Sequence, residues 1–116
     1  MNADEMFDKI PANVPQSIKE FIVDFIKQIL NEYETKINKI YLYGFYISGN
    51  FNKISEIDLI IVIDAEDYSE YKRIKNYIRE MEYNQEEKYE FNWYFDIVFD
   101  TLDNKNNKQS VILYEK

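Results

Sequence analysis

Apolar residues recur along the first third of the chain at three- and four-residue steps: Ile18, Phe21, Ile22, Phe25, Ile26, Ile29, Leu30 and Tyr33. That spacing predicts one amphipathic helix of about five turns with its charges on the far face. Ser17, with Glu20 three residues on, has the pattern of a capping box at its start. The period then changes. Lys39–Tyr43 is rich in aromatic and β-branched residues and stops at Gly44, which predicts a strand. Ile57–Ile63 predicts a second strand, apolar enough to be buried on both faces at its centre. Residues 68–82 return to helical spacing through Tyr71, Ile74, Ile78 and Met81. From Tyr89 to Phe99 the pattern alternates, with Phe91, Trp93, Phe95, Ile97 and Phe99 on one face and Asn92, Tyr94, Asp96, Val98 and Asp100 on the other. This predicts a third strand. A polar turn over 103–107 precedes a short apolar element, Val111–Tyr114.

The order α-β-loop-β-α-β-tail defines an α/β (α+β) class. Both prolines, Pro11 and Pro15, precede Gln16, so residues 1–15 read as an N-terminal leader and 16–116 as one domain. The length, 116 residues, suits a single core.

Composition narrows the chemistry. The chain has no His and no Cys, which removes a Ser-His-Asp triad, a thiol nucleophile and a Cys/His zinc site. Any metal must sit on oxygen ligands, which favours Mg²⁺, Mn²⁺ or Ca²⁺. With 14 Lys plus Arg against 22 Asp plus Glu the net charge is −8, which disfavours non-specific binding of nucleic acid. The acidic start lacks an apolar signal core and no run reaches the roughly 18 apolar residues of a membrane span, so the expected location is the cytoplasm.

There are only two glycines, against about eight at average usage, and both lie in Gly44-Phe45-Tyr46-Ile47-Ser48-Gly49 after the first strand. Glycine is needed for positive φ or for close approach to a ligand, although an ordinary turn would also use it. Seven residues beyond Gly49, Glu56-Ile57-Asp58 opens the second strand with two carboxylates on one face. Such a pair is either solvated at a strand end or built to hold a cation. If strands two and three are neighbours, Asp96 joins them, and three carboxylates on one patch suit two-metal phosphoryl or nucleotidyl transfer.

Tyr43–Gly49 followed by Ser55-Glu56-Ile57-Asp58-Leu59, with Phe95-Asp96-Ile97-Val98 later, resembles the DNA polymerase β-type nucleotidyltransferase superfamily, and most closely its minimal nucleotidyltransferases. The resemblance spans roughly residues 17–116. It implies a small mixed sheet with helices packed on it. It also implies metal ligands and catalytic carboxylates at Glu56, Asp58 and Asp96, and a nucleotide-binding loop at Gly44, Phe45, Ser48 and Gly49. The implied cofactors are Mg²⁺ or Mn²⁺ with an NTP, ATP foremost. The implied partner is a HEPN-type toxin, which such proteins neutralise as antitoxins by modifying a tyrosine or by direct binding; an oligomer is compatible with this. The family serine after the first glycine is here Phe45, which offers a phosphate no donor. Two functions follow: transfer of a nucleoside monophosphate to a partner hydroxyl, or a catalytically degraded fold acting by occlusion as a binding, antitoxin or immunity module.

Overall fold

Alternation along the strands decides which side of the sheet becomes the core. The computed structural model describes residues 3–44, 56–100 and 110–116. Helices α1 (Ala3–Lys9) and α2 (Gln16–Tyr33) lead through a 3₁₀ turn (Glu34–Lys36) into β1 (Ile37–Tyr43). Then follow β2 (Ile57–Ile63), α3 (Tyr68–Lys88), β3 (Phe95–Asp100) and β4 (Ser110–Glu115). The sheet runs β3-β2-β1-β4, with β1 antiparallel to both β2 and β4, and β2 parallel to β3 through the α3 crossover. This is an α+β domain, the class that the residue pattern predicts, and its four-stranded mixed sheet is what the family resemblance implies.

Ile57, Leu59, Ile61 and Ile63 are fully buried and join Ile40, Leu42, Phe95, Ile97 and Leu113 in one core with the apolar stripe of α2. Because strand side chains alternate, Asp58 and Asp96 fall on the opposite face. Helix α2 buries Ile18, Phe21, Ile22, Phe25, Ile26 and Ile29 as its periodicity predicts, and Val23 as well. Among the described residues no helix is long and apolar enough to cross a membrane.

Four local expectations are corrected. Helix α2 starts at Gln16 with Pro15 in the cap position at φ −56°, ψ 146°, and no side chain caps it. Proline presets that φ, so Ser17 lies inside the first turn instead of capping it. The segment read as a leader packs on the fold: Met6, Ile10 and Val14 are buried in the core. Helix α3 runs to Lys88 rather than 82. Its start is fixed by Asp67 Oδ1, which accepts from Glu70 N–H at 2.8 Å, the N-cap arrangement.

The fourth correction is that the third strand begins at Phe95, not Tyr89. Residues 89–94 form a turn in which Glu90 and Phe91 take positive φ, 58° and 56°. Tyr89 N–H donates to Gln85 O at 3.3 Å, and Phe91 N–H to Glu86 O at 2.8 Å, closing the helix end. The alternating aromatics have another use here. Tyr89 and Trp93 pack on Phe21 at 5.1 and 5.5 Å between ring centroids, and Phe95 stacks on it at 4.6 Å, whereas Phe91 points outward. Tertiary packing of aromatic rings thus overrides a local strand pattern.

Candidate active site at the ends of β1, β2 and β3

Parallel pairing of β2 and β3 sets Ile57 opposite Phe95, Asp58 opposite Asp96 and Leu59 opposite Ile97. The first residue of each strand is buried, so its successor projects from the other face, and the two aspartates stand side by side. On the other flank, antiparallel β1 sets Tyr43 opposite Asp58. Gly44 follows at φ +83°, and a Cβ there would sit 3.0 Å from the Asp58 carboxyl carbon and collide with Oδ2. Glycine at this position is therefore required twice, by its backbone angle and by the space that the Asp58 carboxyl fills.

Electrostatics mark Asp58 as the centre of the group. Its pKa is pushed up to about 6 by burial first, then by the charges of Asp96 and Glu56 and by a hydrogen bond with Asp96. A hydrogen bond between two carboxyls needs a proton on one of them, which is how two like-charged groups coexist without a cation. Tyr43 is pushed above the usual phenol range by burial and by Asp58 and Asp96. Glu56 precedes β2 and is exposed, acting on Asp58 as a charge. Among the described residues no group of three His, Cys, Asp or Glu side chains is gathered closely enough to hold a metal ion. The paired carboxyls of Asp58 and Asp96 still fit a hard divalent cation, because both are oxygen donors whose mutual repulsion such an ion would relieve. Phe45, Ser48 and Gly49 lie outside the described residues.

Helix α3 adds groups that the sequence reading did not include. Glu82 is pushed above the usual carboxylate range by burial, against a hydrogen bond from Arg79, and also by Glu86 and Asp96. Arg79 Nη1 donates to Glu82 Oε1 and Nη2 to the Ile97 carbonyl, both at 3.1 Å, which ties α3 to β3 beside Asp96. Glu86 Oε2 accepts the Phe95 N–H at 2.9 Å, fixing the first residue of β3. Its own pKa is raised by burial and by Glu56, although that backbone N–H lowers it. The signal was available as helical phase: 79, 82 and 86 share a face once the helix is extended to Lys88.

The family description "Polymerase beta, Nucleotidyltransferase" matches residues 24–116. The chain belongs to the polymerase beta nucleotidyltransferase family, whose members generally use a nucleoside triphosphate and a divalent metal. No curated protein matches it. A crystal structure of a toxin-antitoxin with AMP-PNP is similar at 18% identity and a TM-score of 0.47, over 80% of this chain and 73% of that one.

Proposed function

We propose that this protein transfers a nucleoside monophosphate from an NTP, ATP foremost, to a hydroxyl of a partner protein in the cytoplasm, as the antitoxin of a HEPN-type toxin. The reading rests on the register pairing of Asp58 with Asp96 beside Gly44, in a chain of this family. In this reading Glu56, Asp58 and Asp96 would together hold Mg²⁺ or Mn²⁺. Asp96, exposed at the edge of the sheet, accepts the proton of the acceptor hydroxyl as its oxygen bonds to the α-phosphorus and pyrophosphate leaves. A bound divalent cation would supply charge neutralisation for the triphosphate. Phe45, Ser48 and Gly49 belong to the nucleotide loop, with Gly44 letting the backbone pass close to the carboxyls. The domain is 16–116, with 1–15 an N-terminal leader whose Met6, Ile10 and Val14 pack on the core.

Phe45, standing where the family has serine, favours a second reading: a degraded site that neutralises its partner by occlusion alone. One experiment separates the two. The protein is incubated with Mg²⁺, labelled ATP and the HEPN-type partner, and label on the partner is read by mass shift. The enzyme gives a nucleotidylated partner, and Asp58→Asn abolishes it. Neutralisation of the partner with no label from any of the four NTPs selects occlusion.

A further inference from the structure

The turn behind α3 exposes aromatic surface that the core does not use. Tyr83, Phe91 and Tyr94 are 56%, 39% and 48% exposed, and they form a row rather than a scatter. The Tyr83 and Phe91 rings are 5.8 Å apart between centroids, and Phe91 and Tyr94 lie 6.2 Å apart with planes 22° from parallel. Phe91 reaches this position only because it and Glu90 adopt left-handed backbone, at φ 56° and 58°. Left-handed backbone is strained for a non-glycine residue, and strain of that kind collects where a surface has a use.

The exposed charge around the row is mostly negative. Exposed Glu87 and Glu90 lie at the end of α3 and in the turn, Glu82 and Glu86 are already held by Arg79 and the Phe95 N–H, and exposed Asp96 lies two residues beyond Tyr94. The nearby cations are engaged elsewhere: Lys88 Nζ is 3.0 Å from Asp24 Oδ2, and Arg79 bonds Glu82 and the Ile97 carbonyl while lying 4.7 Å from the Phe99 ring centroid. Open ring faces bordered by carboxylates match one chemistry well. A guanidinium stacks flat on a ring while its edge donates to carboxylates, and an ammonium does this less well. A nucleotide or nucleic acid would meet repulsion here, and a purely apolar surface would strip water from the carboxylates without replacing it.

We infer that Tyr83, Phe91 and Tyr94 form a docking row for an arginine-bearing segment of the protein partner. The inference rests on the partner-protein element of the proposed function and not on its transfer chemistry. It places the partner's arginines next to Asp96, on the approach to the carboxylate pair.

The test uses the full chain without metal or nucleotide, so that loss of transfer activity and loss of docking are read separately. An Arg-Ser repeat peptide and its Lys-Ser counterpart are titrated in at about 0.15 M salt, with affinity read by calorimetry and the ring resonances by NMR. The arginine peptide should bind about tenfold more tightly than the lysine peptide and shift the resonances of all three rings. The triple variant Tyr83→Ser/Phe91→Ser/Tyr94→Ser keeps every charge and should lose about tenfold in affinity for the arginine peptide. Should that variant unfold, Tyr83→Ser/Tyr94→Ser leaves Phe91 in its turn and should still lose several-fold. Equal affinity for the two peptides, or unchanged affinity in the folded variants, overturns the inference because net charge alone then explains binding. Shifts of the same rings by ATP or a single-stranded oligonucleotide, in place of the arginine peptide, overturn it as well.

Discussion

At the scale of single residues, Asp58 and Gly44 carry the site, and each has a stability cost that can be measured. Folding raises the Asp58 pKa from 3.8 to about 6, so the folded protein binds its proton more tightly than the unfolded chain does. Stability therefore falls as pH rises from about 4 to about 6, and the full penalty persists at neutral pH. The shift alone corresponds to about 3 kcal/mol, which solvent around the half-exposed carboxyl reduces to about 1–2 kcal/mol. Asp58→Asn in metal-free buffer should accordingly raise stability at pH 7 by about 1 kcal/mol and flatten that part of the pH profile, as measured by urea unfolding across the pH range. An unchanged profile would mean that the pair carries no repulsion. Gly44→Ala should do the opposite. It forces an L-residue to φ +83° and drives a methyl group into the Asp58 carboxyl, so a loss of about 2 kcal/mol or more is expected in the same assay, together with loss of any transfer activity.

At the scale of elements, legibility follows how local the determinant is. The apolar stripe of α2, the largely apolar β2 and the glycine ending β1 are written in consecutive residues, and the fold bears them out. The third strand was misplaced because Tyr89, Phe91, Trp93 and Phe95 alternate like a strand while three of them serve Phe21, a partner far away in sequence. No local pattern reveals that partner. Nor does it reveal the Glu86 carboxylate, which binds the Phe95 N–H and so sets where β3 begins and which face Asp96 takes. The carboxylates Glu56, Asp58 and Asp96 were readable as residue types at a spacing, whereas the exact pairing of Asp58 with Asp96 needed the strand register. The turn itself offers a test. Glu90 holds φ 58° without the freedom of glycine, so Glu90→Gly should relieve left-handed strain and raise stability by about 1 kcal/mol. A fall in the urea midpoint would show that the Glu90 side chain contributes more than its backbone costs.

At the scale of the whole molecule, the net charge of −8 sets a background against which any metal effect must be read. Self-repulsion among surface carboxylates weakens a chain this acidic, so added salt of any kind should raise the melting temperature somewhat by screening. Cation binding at the Asp58–Asp96 pair is a different effect. A ligand that binds only the folded protein stabilises it by mass action, about 2.7 kcal/mol at a hundred times its Kd, and the gain keeps growing with the logarithm of concentration. The two effects separate at matched ionic strength. Replacing NaCl by MgCl₂ or MnCl₂ should raise the melting temperature of the wild-type protein further, while Asp58→Asn, which starts out more stable, should respond to the divalent and monovalent salts alike. The curves for the two proteins should therefore converge as divalent cation is added, because the ion relieves in one the repulsion that the substitution has removed from the other. A divalent increment of equal size in both proteins would place the cation elsewhere on the acidic surface and remove Asp58 from the metal site.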